Sequence, residues 1–318
     1  MKQKICYALI IAVAISLIFA GSSNVQADEF PEEDIHWLVP FTSGSGADIF
    51  ARNLARAAEE HLGVSIAVEN RAGGAGAVAV SYALTQPTDG HTVFTHSSTL
   101  PIAMAGGQLP FSMDVIQPIA SINADPLTLS VPVDSPFETL DDFVSYAKEN
   151  PGELLIGGTA TGGTHNVMWL HFENIAGIET EWVAYPGGSE AVMGLLAKET
   201  DALVTTTSNA GPQVDGGESR YLGVGLTEEE GEKMGVPTFK GQNYDFEAQL
   251  WRGVFAIDGV PEERIEVLQE ALRKATQEAV FTDYMEDFEQ FDFFLEADEF
   301  GNLLNETYEM ARDILDAE

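Results

Sequence analysis

Two short segments rich in glycine and hydroxyl residues have the composition of anion-binding loops. Residues 42–48 follow a predicted apolar strand and open a predicted helix, and residues 159–165 do the same further along the chain. Backbone N–H groups point outward at a helix N-terminus, where the helix dipole favours negative charge. Two such loops in one chain predict a site that grips a small di- or tricarboxylate from both ends.

A serine nucleophile is the one catalytic arrangement that the sequence approaches. Gly187-Gly188-Ser189-Glu190-Ala191 approximates the G-x-S-x-G turn of hydrolases, in which the matching histidine would follow the serine along the chain. Every histidine of this chain precedes that serine: His36, His61, His91, His96, His165 and His171. The chain order therefore argues against a hydrolase.

Metal and nucleotide sites are not indicated either. The histidines form no H-E-x-x-H pair, and Cys6 is the only cysteine, so no zinc site is expected. The glycine-rich run 72–76 lacks the G-x-G-x-x-G spacing of a dinucleotide-binding loop, and a tight turn is the better interpretation. We therefore expect no cofactor and no enzymatic activity, which disfavours a dehydrogenase as well as a hydrolase.

The first 27 residues have the pattern of a secretory signal peptide. An apolar run from Ile5 to Ala20 follows two lysines, and Val25-Gln26-Ala27 fits the small-x-small cleavage pattern. The run is shorter than the ~20 residues that a membrane-spanning helix needs, which disfavours a membrane anchor. We expect export to the periplasm with cleavage after Ala27. No lipid anchor is expected, because Cys6 lies inside the apolar run rather than at the cleavage site.

The chain is strongly acidic. It has 15 Lys and Arg against 51 Asp and Glu, a formal net charge of −36, and removal of residues 1–27 with their two lysines leaves −38. Nucleic-acid binding needs a basic surface, so that partner is excluded. Acidic side chains keep a surface hydrated, and molar salt screens their repulsion within about 3 Å, so the composition predicts a halophilic protein. The alternative is an ordinary acidic exported protein.

Strand and helix patterns alternate along residues 35–98 and again along residues 125–205. Such alternation predicts an α/β fold with parallel strands, in which ligands bind beyond the carboxyl ends of the strands. We expect two lobes, residues 28–124 with residues 250–318 and residues 125–249, joined by strands that act as a hinge.

Several stretches spread over nearly the whole chain after residue 27 form a specific pattern. They are Trp37-Leu38-Val39-Pro40-Phe41 with the loop after it, Val68-Glu69-Asn70-Arg71-Ala72-Gly73-Gly74-Ala75-Gly76, Pro87-Thr88-Asp89-Gly90-His91-Thr92, Tyr185-Pro186-Gly187-Gly188-Ser189-Glu190-Ala191 and Trp251-Arg252-Gly253-Val254-Phe255-Ala256. With these stretches the chain resembles the extracytoplasmic solute receptors of tripartite tricarboxylate transporters, also called Bug-type receptors. It departs from them where Ser45 interrupts a run of glycines.

The resemblance implies a two-lobed periplasmic-binding-protein fold of type II, a Venus flytrap that closes on its ligand. It also implies that backbone amides, hydroxyls and bridging waters hold the ligand carboxylates, rather than arginine. The positions that it assigns to the first lobe are Thr42, Ser43, Gly44, Ser45, Gly46, Ser97 and Ser98. Those that it assigns to the second lobe are Thr161, Gly163, Thr164, His165, Tyr185, Thr205 and Ser208.

The sequence therefore predicts a monomeric exported receptor that binds a small carboxylate and has no chemistry of its own. The resemblance implies handover of the ligand to a membrane permease made of one large and one small subunit. A two-lobed sensor ectodomain that presents its ligand to a signalling kinase is the alternative that the sequence leaves open.

Overall fold

The structure, a computed structural model, describes residues 30–288 and 290–316. The predicted signal peptide and its cleavage site lie outside the described residues. Within them, no helix combines the length and the hydropathy that a membrane crossing requires.

Strands and helices alternate along most of the described chain. The strands are β1 (Ile35–Val39), β2 (Ile66–Asn70), β3 (Thr92–Ser97), β4 (Ile116–Pro132), β5 (Leu155–Thr159), β6 (Glu181–Tyr185), β7 (Ala202–Thr206), β8 (Ser219–Val224), β9 (Gln249–Ile257) and β10 (Phe291–Glu296). The helices are α1 (Gly46–Leu62), α2 (Ala77–Ala83), α3 (Thr99–Ala105), α4 (Leu140–Glu149), α5 (Thr164–Ala176), α6 (Gly188–Leu196), α7 (Thr207–Asp215), α8 (Glu228–Met234), α9 (Glu262–Ala275), α10 (Ala279–Asp287) and α11 (Ala297–Leu315).

The strands form two sheets that share β4. The first sheet has the order β2-β1-β3-β9-β4, and β10 also pairs with β4. The second sheet has the order β4-β7-β5-β6, and β8 also pairs with β4. Because β1 to β3 and β5 to β7 pair in parallel, the predicted α/β class with parallel strands is confirmed.

The long strand β4 carries the chain from one sheet to the other. Residues 116–126 pair antiparallel with β9, and residues 127–130 pair antiparallel with β7. The pattern around 127–131 predicts a strand only for the second of these parts. The first part of β4 contains Pro118, two register irregularities and several polar residues. It therefore lacks the regular apolar alternation from which a strand can be predicted.

Local sequence explains where the predicted helices begin and end. At the start of α4, Thr139 Oγ1 accepts a hydrogen bond from the Asp142 backbone N–H at 3.2 Å and the Asp142 carboxylate accepts one from the Thr139 N–H at 2.9 Å, which together form a capping box. The apolar periodicity from 261 to about 280 predicts one helix, but the structure has two, because α9 ends at Ala275 and α10 starts at Ala279.

Apolar cores lie on both sides of the shared strand. One core covers the second sheet and is built around Phe143, Trp169 and Phe172, and two others cover the two faces of the first sheet. The C-terminal helix α11 adds Ala311 and Ile314 to the core of the second sheet, whereas its buried residues Phe300 and Leu304 belong to a core of the first sheet. The last helix therefore packs against both sheets.

Candidate functional site

A cavity of about 320 Å³ lies between the two sheets, at the side where β4 crosses from one to the other. We call it the central cavity. Its lining residues are Gly46, Ile49, Asp125, His165, Thr206, Ser208, Asn209, Leu250, Arg252, Tyr284, Phe288 and Gln290. A second space of about 240 Å³, the adjoining cavity, shares Gly46, Leu250 and Arg252 with it. Its other lining residues are Phe41, Ser45, Ala47, Thr95, His96 and Ser97.

The N-terminus of α1 reaches both cavities through Gly46. Ser45 caps this helix by accepting a hydrogen bond from the Asp48 backbone N–H at 3.3 Å. A Cβ atom built on Gly46 meets nothing within 4 Å, so the missing side chain leaves the end of the helix open. The first predicted loop therefore delivers a helix N-terminus to the cavity.

The side chain of Asp48 fixes the conformation of this loop. Its carboxylate is buried and accepts hydrogen bonds from the Gly44 backbone N–H at 2.8 Å, from Arg52 Nε at 2.9 Å and from Asn70 Nδ2 at 2.9 Å. Burial raises the pKa of Asp48, but these hydrogen bonds outweigh it and bring the pKa below its usual value. Asp48 is thus a structural anion beneath the loop.

His96 closes the adjoining cavity at the end of β3. Its Nδ1 accepts a hydrogen bond from the Ser97 backbone N–H at 2.9 Å, which leaves Nε2–H to donate to the Ala75 carbonyl at 3.1 Å. Burial lowers the pKa of His96 to about 4, so the ring is neutral. The glycine-rich run 72–76 makes the predicted tight turn against it: Gly76 has φ +100°, and a Cβ there would lie 2.4 Å from Nε2.

His165 brings the N-terminus of α5 to the opposite wall of the central cavity. No side chain among the residues that the structure describes caps this helix, which begins after Gly163. The His165 Nδ1 lies 3.0 Å from the Thr159 hydroxyl, and its Nε2 is buried without a hydrogen-bond partner among the described residues. Burial lowers the pKa of His165 to about 4, although Asp125 opposes the shift. A neutral, unpartnered ring nitrogen at a cavity wall is available to a ligand.

The N-terminus of α7 lies beside it and is already occupied by Asp125. This buried carboxylate accepts hydrogen bonds from Thr207 Oγ1 at 2.9 Å, from the Ser208 backbone N–H at 3.3 Å and from Ser208 Oγ at 2.5 Å. Thr206 and Asn209 complete this part of the wall, with Asn209 Nδ2 donating to Thr206 Oγ1 at 2.9 Å. The cavity therefore contains a fixed negative charge that the sequence patterns do not predict.

Arg252 supplies a positive charge on the β9 side. Its NH1 donates to Gln290 Oε1 at 2.5 Å, and among the described residues no carboxylate oxygen lies within 4 Å of its guanidinium. The resemblance implies that amides, hydroxyls and waters rather than arginine hold the ligand carboxylates, and Arg252 adds a guanidinium to the groups that line the cavity. The sequence gives an indication of a special role for Arg252, because it is a rare basic residue inside an apolar strand.

The structure brings five of the predicted positions to the cavity walls. Ser45, Gly46 and Ser97 come from the first sheet and its helices, and His165 and Ser208 come from the second. The remaining predicted residues line neither cavity: Thr42, Ser43, Gly44, Ser98, Thr161, Gly163, Thr164, Tyr185 and Thr205.

Three of those other residues have clear structural contacts. Thr164 Oγ1 lies 3.0 Å from Thr99 Oγ1 and joins α5 to α3 across the two sheets. Tyr185 donates its hydroxyl to Glu199 at 3.0 Å, and Thr205 is buried within β7, where its backbone carbonyl accepts a hydrogen bond from Thr128 Oγ1 at 3.2 Å. Within the described residues no cluster of histidine, cysteine, aspartate and glutamate could hold a metal ion.

Related sequences match most of the chain. A protein from the tcbD-tcbE intergenic region of Pseudomonas sp. (strain P51) is 29% identical over 267 residues, which is 83% of this chain and 80% of that protein. Protein BugT of Bordetella pertussis is 26% identical over 275 residues, 85% of this chain and 84% of that protein.

Solved structures share the fold. A TctC solute-binding protein from Polaromonas has a TM-score of 0.84 at 24% identity, over 91% of this chain and all of that one. MatC from Rhodopseudomonas palustris, solved with bound malate, has a TM-score of 0.70 at 22% identity, over 90% and 100% of the two chains. A second R. palustris protein, solved with adipate, has a TM-score of 0.72 at 24% identity, over 90% and 98%.

These likenesses confirm the predicted two-lobed fold of periplasmic solute-binding proteins. The family model for the tripartite tricarboxylate transporter family receptor matches residues 50–318. The chain therefore belongs to this receptor family and is a solute-binding receptor.

Proposed function

We propose that this receptor captures a small carboxylate in the central cavity and has no catalytic activity. The observation that carries the proposal is the convergence of two helix N-termini, at Gly46 and His165, with the guanidinium of Arg252 on one cavity. Oriented N–H groups and a guanidinium form charge-assisted hydrogen bonds with carboxylates, and these strengthen when closure excludes water. The malate and adipate found in neighbouring structures are acids of the same class.

The ligand class, the lobe boundaries, the oligomeric state, the location and the partner that we propose rest on the sequence analysis. We infer that the ligand is a di- or tricarboxylate and that the two lobes are residues 28–124 with 250–318 and residues 125–249. The receptor acts as a monomer in the periplasm after cleavage behind Ala27, and hands its ligand to a permease with a large and a small membrane subunit.

A melting-temperature screen tests the proposal. Among small carboxylates, a di- or tricarboxylate should raise the melting temperature, because a ligand at a hundredfold excess over its Kd stabilises the folded state by about 2.7 kcal/mol. Neutral sugars and simple amines serve as controls and should leave the melting temperature unchanged. A response to a sugar alone would contradict the proposal.

A further inference from the structure

Arg252 and Asp125 lie on the same face of two paired strands but do not bind each other. In the antiparallel pair, Arg252 of β9 lies opposite Asn123 of β4, and Leu250 lies opposite Asp125. Partners across a pair and residues two positions apart share a face, so both charged side chains leave the sheet in one direction. Both line the central cavity, yet their charged atoms are not within 4 Å of each other.

Each charge is held in place separately. Arg252 is oriented by Gln290, which follows α10, whereas Asp125 is fixed by Thr207 and Ser208 at the start of α7. A carboxylate can accept about four hydrogen bonds, and the three donors on Asp125 leave it the capacity for one more. The cavity therefore presents a donor group at one place and an acceptor group at another.

This arrangement restricts the charge pattern of a ligand. A ligand carboxylate facing Arg252 would form a charge-assisted pair, whereas one facing Asp125 would bring two like charges together inside the cavity. Asp125 also occupies the N-terminus of α7, so that helix end is not available to a ligand anion. A hydroxyl or ammonium group suits the position beside Asp125.

We propose that Asp125 is a specificity-determining residue, which selects carboxylates that carry a hydrogen-bond donor, either a hydroxyl or an ammonium group. The proposal rests on the carboxylate-binding function given above and narrows its substrate class. The carboxylate of such a ligand lies at Arg252, its donor lies at Asp125, and any second carboxylate lies toward the N-termini of α1 and α5.

Calorimetric titration with matched acids tests this proposal. Three carbon skeletons are each used as the plain, the hydroxy and the amino acid: propionate, lactate and alanine; succinate, malate and aspartate; glutarate, 2-hydroxyglutarate and glutamate. In the skeleton that binds, the hydroxy or amino acid should bind at least about tenfold more tightly than the plain acid, since leaving a buried polar group unpaired carries such a cost. A preference for hydroxyl over ammonium, or the reverse, identifies the donor.

Asp125→Asn is the informative variant, because it keeps the shape and removes the charge. The affinity for the donor-bearing acid should fall about tenfold or more, and the affinity for the plain acid should stay the same or rise. Asp258→Asn, at an exposed position after β9, is the control for net charge and should change neither. Circular dichroism shows whether the variant folds, and the wild-type panel decides the question if it does not.

The outcomes separate the two proposals. If no carboxylate binds, the proposed function fails and this inference fails with it. If carboxylates bind but the plain acid binds most tightly, or if Asp125→Asn leaves the preference unchanged, only the role of Asp125 is overturned.

Discussion

At the scale of single residues, Arg252 adds a positive charge to a site that the sequence predicts to rely on backbone amides. From the sequence, the two glycine-rich loops predict that backbone amides provide the affinity for a ligand carboxylate. The structure adds a guanidinium with no acidic partner among the described residues, in a chain that carries a net charge of −36. A cation without an acidic partner in the described part of such an acidic molecule provides a local attraction for an anion that the overall charge would repel.

Replacing Arg252 by glutamine should therefore weaken carboxylate binding. Hydrogen bonds to charged groups contribute about 1.5–3 kcal/mol, so the Kd should rise about 10- to 150-fold. Titration calorimetry with the best acid from the screen measures the effect. Arg56→Gln, on the exposed face of α1, is the control for the lost charge and should bind like the parent. Equal affinity in Arg252→Gln would show that the guanidinium does not contact the ligand.

The two buried histidines predict how stability responds to acid. The pKa values of His96 and His165 are lowered to about 4 by burial, against an ordinary value of 6.5. Between these values the unfolded chain takes up protons that the folded chain does not, so lowering the pH through this range favours unfolding. Each histidine contributes about 1.4 kcal/mol per pKa unit of difference.

The melting temperature should thus fall from pH 6.5 toward pH 4, and His96→Gln and His165→Gln should each make that fall shallower. Differential scanning calorimetry at matched ionic strength measures the slope. Identical slopes in the parent and in both variants would mean that neither ring is held neutral by the fold.

At the scale of elements, the helix N-termini position the site. The sequence predicts the helices that carry Gly46 and His165, because each has a small-residue loop before it and an apolar face after it. It does not predict α7, whose interior contains Pro212, or β10, whose six residues are only partly buried. Asp125 and Gln290 belong to contacts between distant segments, so no local pattern could place them at the cavity.

The same limit explains the predicted positions that do not reach the walls. The resemblance assigns positions within the loops, but tertiary contacts decide which of them face the ligand. Gly44 donates its N–H to Asp48 behind the loop, and Thr164 turns its hydroxyl toward Thr99. The loop sequences thus predict where the helices begin, but they do not predict which side chains reach the cavity.

Gly46→Val tests whether the end of α1 contacts the ligand. The backbone tolerates the change, because φ at Gly46 is not positive and the new Cβ meets open space, but the side chain would take up space beside both cavities, which Gly46 lines. We expect most carboxylate binding to be lost while circular dichroism stays unchanged. Ala279→Val, at the exposed first residue of α10, is the matched control. Normal binding by Gly46→Val would remove α1 from the site.

At the scale of the whole molecule, charge governs stability. The excess of acidic residues makes the compact state repel itself in dilute buffer, and salt screens this repulsion. The melting temperature should rise with NaCl through the molar range, and structure should be lost near zero salt. Thermal unfolding followed by circular dichroism measures both. Equal stability in dilute buffer and in molar salt would contradict a halophilic protein and leave the receptor function intact.

The long strand β4 takes part in both sheets and so connects the two parts of the molecule that line the central cavity. Asp125 of β4 and Arg252 of the paired strand β9 line the central cavity, together with Gly46 of α1 and His165 of α5. A ligand held here contacts both lobes at once, so the central claim is that one carboxylate ligand bridges them in the central cavity.

A crystal structure of the receptor, grown with the carboxylate that raises the melting temperature most, tests this claim most directly. It should show a ligand carboxylate within hydrogen-bond distance of Arg252, with further contacts to the α1 and α5 N-termini at Gly46 and His165. A ligand bound outside the central cavity, or held by one lobe without contact to Arg252, would contradict the account.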